Sequence, residues 1–193
     1  MNVTKDKISS VFFQYSIPAV LGMLAISSAN IVDGFFIGNY VGDFGLAAIN
    51  ITFPIFSLLF GFALMLAIGS SVVSGKLIGQ GDIKSASIIF SKTMVCITLF
   101  SFITCTGLFL NIETVLYLFG ADENLTKIAI EYLSVILIFI PFLMIGVVLD
   151  YFVRVDNRPN LAFIALLLSA VINVILDWFM IVYLQKAIFG AAM

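Results

Sequence analysis

The chain has 193 residues, 62% of them hydrophobic and 10% charged, with a mean hydropathy of +1.20 and a net charge of −2. Ordinary soluble domains carry roughly 25% charge, so a water-facing surface cannot be built from this inventory. No basic tract could follow a phosphate backbone, so no nucleic-acid partner is expected. The absence of His removes the commonest general base and metal ligand, and no nucleophile–base arrangement stands in for it. An enzyme is not expected.

Taken in chain order, Lys5 and Lys7 precede an uncharged run over residues 8–32. Its 25 residues far exceed the ~7–15 of a signal-peptide core, so the run reads as a retained first transmembrane span. Ser9 and Ser10 are placed to cap it, and Pro18 inside it removes a backbone hydrogen bond, which predicts a bend. Five spans are predicted, over residues 11–37, 47–73, 85–110, 125–151 and 161–183. Turns are expected over 39–45, 75–82, 111–124 and 154–160. Gly61, Gly69 and Gly75, with Ser70, Ser71 and Ser74, make one side of the second span small, as tight helix packing requires. Cys96 and Cys105 share one predicted helix ~13 Å apart along its axis, beyond disulfide reach. The fold class is therefore an all-α, polytopic helical bundle in a lipid bilayer.

Charge sets the expected direction. Lys5, Lys7, Lys76, Lys84, Lys92, Arg154 and Arg158 fall at the N-terminus and the even-numbered turns, and only Lys127 and Lys186 fall opposite. By the positive-inside rule the N-terminus is cytoplasmic and spans one, three and five run outward.

Two carboxylates break the apolar pattern. Asp33 follows the first uncharged run, and Asp177 follows another over residues 159–176. An ionisable side chain at such a depth costs a few kcal/mol on insertion scales and usually faces a polar cavity, an ion or a proton path. Both belong to outward-running spans, so both reach the outer half of the membrane, and they share a cavity if spans one and five are neighbours. Asn30 lies three residues before Asp33, and Asn173 four before Asp177, so each amide shares a helix face with its carboxylate. Ser169 extends the second stripe by four more residues. Such a set can bind a proton, or hold sodium through oxygen at Asp33, Asn173 and Asp177. Helix-end charges and interhelical amide hydrogen bonds are the competing explanation. The coupling ion, proton or sodium, is the sole cofactor expected.

At this point the residues resemble a known family. Pro18 followed by Asp33, in the phrase Val32-Asp33-Gly34-Phe35-Phe36-Ile37-Gly38, is similar to the first helix of multidrug and toxic compound extrusion (MATE) transporters. Gly69-Ser70-Ser71, leading to Ile78-Gly79-Gln80-Gly81-Asp82 and Ala86, resembles the family's second helix and the loop after it. Arg154-Val155-Asp156-Asn157-Arg158-Pro159 resembles the loop before the fifth helix, and Asn173 through Asp177-Trp178 that helix itself. The resemblance, to the prokaryotic DinF-like branch, covers nearly the whole chain. It implies the N-terminal one of two pseudo-symmetric lobes, over residues 1–193, and export of small organic cations in exchange for protons or sodium. It implies coupling roles for Asp33, Asn173 and Asp177, with the acidic pair marking a subgroup. Gly190-Ala191-Ala192-Met193 resembles the opening of a sixth helix, so the chain reads as a truncated form whose missing C-terminal lobe is needed for transport. Two other functions fit less well. A lipid-linked saccharide flippase of the same superfamily favours a more cationic cavity, and a non-transporting membrane scaffold leaves the paired Asp and Asn unexplained. A cell-membrane, multi-pass location follows.

Overall fold

The computed structural model describes residues 7–40 and 42–183, with Asp33, Ile37, Tyr40, residues 42–44 and residues 181–183 described by backbone alone. The predicted opening of a sixth helix lies outside the described residues. Helices occur in the order α1 (Ile8–Tyr40), α2 (Gly42–Gly79), α3 (Ile83–Leu110), α4 (Ile112–Leu118), α5 (Glu123–Val155) and α6 (Pro159–Asp177). A π-helical segment, Trp178–Tyr183, continues α6. Five of these helices are long and apolar enough to cross a membrane, which bears out the predicted all-α architecture. A lipid interior offers no water to satisfy a peptide group, so only internally bonded helices or closed barrels can span it.

The elements outrun the predicted spans. α2 continues to Gly79 and α5 to Val155, so the connections shrink to residues 80–82 and 156–158. The third connection holds a short helix, α4, that hydropathy alone did not mark. α1 begins at Ile8, so Ser9 and Ser10 lie within its first turn and do not cap it. Pro18 sits inside a helix that continues on both sides, as do Pro54 in α2 and Pro141 in α5.

The turns follow from local chemistry. Gly81 and Gly120 adopt left-handed φ of 83° and 91°, which ends α2 and α4 without a Cβ penalty. Asn157 does the same with φ 63° between α5 and α6, and Pro159 then opens α6 with a ring whose missing N–H is not needed. Asp82 and Asp122 accept hydrogen bonds from the backbone N–H of Ser85 (3.0 Å) and Leu125 (2.7 Å), capping α3 and α5. The Ser85 hydroxyl and then its backbone N–H hold the exposed Asp82 carboxyl below the ordinary carboxylate range.

Packing divides the lobe into two groups. α2, α3 and α5 form a three-helix core, and α1 packs along α6 as a separate pair beside it. The core is lined by Ile97, Leu133, Met144 and Val148. Phe62 of α2 stacks on Phe100 of α3 at 3.7 Å between ring centroids, and Phe90 of α3 meets Phe152 of α5 edge-on at 4.9 Å. Ala63, Ala67, Ser71 and Ser74 are the small buried positions of α2, and the Ser74 hydroxyl donates across to the Ala86 carbonyl of α3. This corrects the reading of the glycines. A Cβ at Gly75 would meet Val155, but one at Gly61 or Gly69 would meet no atom of another helix within 4 Å among the described residues, so these two do not carry tight packing here. The outward faces are strongly apolar, with Phe13, Leu58, Ile103 and Leu118 exposed, as expected of surfaces covered by lipid or by further protein.

Replacing Ala67 by Leu should therefore overpack the core and destabilise the lobe by about 1–3 kcal/mol. The check is a lower melting midpoint in detergent. An unchanged midpoint in Ala67→Leu would mean that α2 does not approach the core at this residue.

Candidate functional site

The predicted site residues belong to the α1–α6 pair, so the register of that pair decides their geometry. Two contacts set it. The Tyr15 hydroxyl donates to the Asn157 side-chain oxygen at 2.6 Å, joining α1 to the turn that precedes α6. Seven residues further along α1, a Cβ at Gly22 would lie 2.9 Å from Leu166 Cδ1 and 3.7 Å from Leu166 Cβ. The missing side chain is what lets the two helices approach. Contacts in the order Tyr15–Asn157 then Gly22–Leu166 make α1 and α6 parallel.

Equal runs of eleven residues separate Gly22 from Asp33 and Leu166 from Asp177. At ~1.5 Å of rise per residue, both carboxylate-bearing positions stand ~17 Å beyond the close approach, at one level. Spans one and five are thus neighbours, as the sequence reading required. Asp33 is described by its backbone alone, within α1.

Asp177 is 2% exposed, and its Oδ2 has no hydrogen-bond partner among the described residues. A polar atom deprived of both water and a partner is costly, so such an atom in a native fold calls for a ligand, an ion, a proton or a neighbouring chain. The helix changes from α to π directly after it. Such irregular turns are frequent at functional positions because they redirect side chains that a regular helix would hold fixed.

The other predicted residues divide. Asn173, one turn before Asp177 on α6, is half-buried. Asn30 and Ser169 are exposed on this lobe and do not share the enclosure of Asp177. Pro18 stands between the Tyr15 tether and the Gly22 approach, where α1 is held on both sides.

Sequence reasoning missed Tyr15, Gly22, Asn157 and Leu166. The one legible signal was Asn157 in a charged turn ahead of Pro159, a position suited to left-handed backbone. The same turn carries an internally balanced charge. Arg154 grips Asp150 through two hydrogen bonds of 3.0 and 3.2 Å, and Arg158 meets Asp156 at 3.1 Å on the surface. The basic residues that mark this end are thereby partly neutralised within one chain segment.

Five spanning helices, with a buried carboxyl oxygen unpartnered among the described residues on a paired-helix layer, make up a lobe of a multi-pass membrane protein. Residues 18–179 match the MatE family, and the chain belongs to that family. It is 29% identical over 189 residues to the multidrug export protein MepA of Staphylococcus saprophyticus, covering 96% of this chain and 42% of that protein. MepA of Staphylococcus aureus strain MSSA476 is 23% identical over 189 residues, with 98% and 42% covered. Among solved structures, a crystal structure of MATE in complex with MaD3S superposes with a TM-score of 0.88 at 26% identity, over 92% of this chain and 40% of that one. The chain thus spans about two-fifths of the relatives it matches, as one lobe would.

The close approach is open to a direct test. A Gly22→Cys, Leu166→Cys pair, with Cys96→Ser and Cys105→Ser, has a Cβ separation near 3.7 Å and should form a disulfide under mild oxidation. Gly22→Cys paired with Ile172→Cys should stay reduced. The reverse pattern would break the register on which the matched depth of Asp33 and Asp177 rests.

Proposed function

We propose that this chain is the N-terminal lobe, of the prokaryotic DinF-like branch, of a secondary antiporter exporting organic cations in exchange for protons or sodium. Asp33, Asn173 and Asp177 carry coupling. The observation that supports this reading above others is the buried Asp177 carboxyl with an unpartnered oxygen, level with Asp33 on a packed helix pair. Multidrug export is what the MepA relatives are named for, and family membership brings that activity within reach of this chain.

The mechanism follows from carboxylate chemistry. Two carboxyl groups in one apolar enclosure repel when both are charged, so a proton arriving from outside relieves the repulsion and discharges a bound cation. Sodium, taken as cargo, would use the same oxygens with the Asn173 side-chain carbonyl, and oxygen-only ligation suits a hard cation. A second lobe supplies the opposing wall, and the two lobes rock about the site. Asn30 and Ser169 extend the two carboxylate stripes and belong to the same proposed cavity, although both are exposed on this lobe.

In the protein encoded by the whole gene, Asp33→Asn should abolish gradient-driven efflux of cationic dyes from loaded vesicles while leaving the protein folded. The substitution keeps shape and hydrogen bonding and removes the titratable charge. Asp177→Asn should be milder and change which ion gradient drives efflux. Wild-type rates in Asp33→Asn would reduce that carboxylate to a helix-end charge.

The proposed location is the cell membrane with the N-terminus in the cytoplasm. Single cysteines at Gly79 and Asn157 should then react with an impermeant reagent only from the cytoplasm, and those at Asp43 and Asp122 only from outside. The opposite labelling pattern would invert the topology and move the carboxylates to the inner half of the membrane.

A further inference from the structure

The outward face of α3 has an order of residues that the proposed transport does not use, and within it Phe102 also meets the Phe142 ring of α5 edge-on at 6.2 Å. Lys84, Ile88, Lys92, Val95, Leu99 and Phe102 are all exposed. At 3.6 residues per turn they fall within an arc of about 80°, one continuous stripe along the helix. The opposite face, with Ala86, Thr93, Ile97, Ser101 and Cys105, is buried in the core against α2 and α5. The stripe is cationic at one end and apolar along the rest.

Its position along the membrane is taken from its C-terminal end, where Leu110 is the last residue before the polar Asn111. α3 has 28 residues, ~42 Å at ~1.5 Å per residue, against a hydrocarbon thickness of ~30 Å. Counting twenty residues back from Leu110 brings the hydrocarbon edge to about Ser91. Lys92 thus starts just inside that edge, and Lys84 starts in the polar zone beyond it, ~12 Å away along the axis. A Lys rooted below the phosphate plane extends its four-carbon stem toward the interface, while one rooted above it can bend down. Ser87 and Ser91 are exposed between them, with the Ser91 hydroxyl donating to the Ser87 carbonyl at 3.0 Å.

Among the described residues these charges are not balanced. α3 contains no acidic residue, and neither ammonium has an ion-pair partner among the described residues. Asp82, the acidic residue nearest in sequence, is engaged in capping α3. A neutral headgroup would leave two uncompensated ammoniums at a low-dielectric boundary, whereas a net negative one supplies the missing charge.

We propose that the outward face of α3 is a binding site for an anionic phospholipid. The headgroup phosphate sits between Lys84 and Lys92, and an acyl chain lies along Val95, Leu99 and Phe102. The site depends on the chain spanning a bilayer and not on which ion drives transport or on the direction of the N-terminus.

The test is native mass spectrometry of the protein from the whole gene, in a neutral detergent, titrated with phosphatidylglycerol or phosphatidylcholine of the same acyl chains. Wild type should retain phosphatidylglycerol preferentially, and apparent affinity should fall about fivefold for each lysine removed in Lys84→Gln and Lys92→Gln. Lys127→Gln, a charge change on the opposite end of the lobe, should have no effect. Lys92→Arg should retain the lipid, so that loss in Lys92→Gln reports charge and not folding. Equal retention of both lipids, or phosphatidylglycerol bound as well by the double variant, would overturn the site. So would a lipid-independent dimer that the double variant loses, since the occupant would then be a second copy of the chain.

Discussion

Hydrocarbon supplies no hydrogen bonds, and most features of this lobe answer to that constraint. Every spanning segment is a helix because a helix satisfies its own peptide groups. Side-chain hydroxyls obey the same rule. Ser70, Thr93 and Ser134 each return their proton to a carbonyl one turn earlier in their own helix, so the helices can carry polar residues without needing water. Asp177 departs from this self-sufficiency. Its carboxyl is enclosed like the core residues, yet one oxygen has no partner among the described residues. Among the described residues it is the buried side-chain oxygen left without a partner, and the proposed coupling role rests on that exception.

The site depends as much on how two helices meet as on which residues they carry. Gly22 lets α1 approach Leu166, and the Tyr15–Asn157 bond stops α1 from sliding along α6. Shifting α1 by one residue would rotate Asp33 by about 100° and remove it from the face it now occupies. A modest hydrogen bond and a missing methyl group therefore act over ~17 Å to hold two acidic positions level. This pair also differs from the α2–α3–α5 core in its packing. The core is packed through large apolar side chains, whereas the pair has fewer buried residues.

The two ends of α3 show how one helix meets two media. Its buried face follows ordinary core packing, with Phe100 and Phe90 locking it to α2 and α5. Its outward face follows the bilayer, apolar at depth and cationic at the edge. α6 shows a third case, since at its far end Asp177 is buried while its neighbours Ile175 and Trp178 are exposed.

Hydropathy and charge spacing are local properties, so the five spans, their polytopic character and the two anomalous carboxylates are legible in the order of residues alone. The family resemblance rests on phrases equally local. Tertiary structure decided what requires two distant segments to be compared. Gly61 and Gly69 look like packing glycines but face open space, while Gly22, unremarked in its run, sits where a Cβ would collide with Leu166. Asn30 and Ser169 share a periodicity with the carboxylates but not their burial, because periodicity defines a stripe and only a neighbouring helix determines which part of it is covered. Residue order was enough to determine that acidic groups enter the membrane in two places. That they stand at one depth on adjoining helices, one of them sealed from solvent, depends on a register set by contacts 142 residues apart in the chain, which no local pattern encodes.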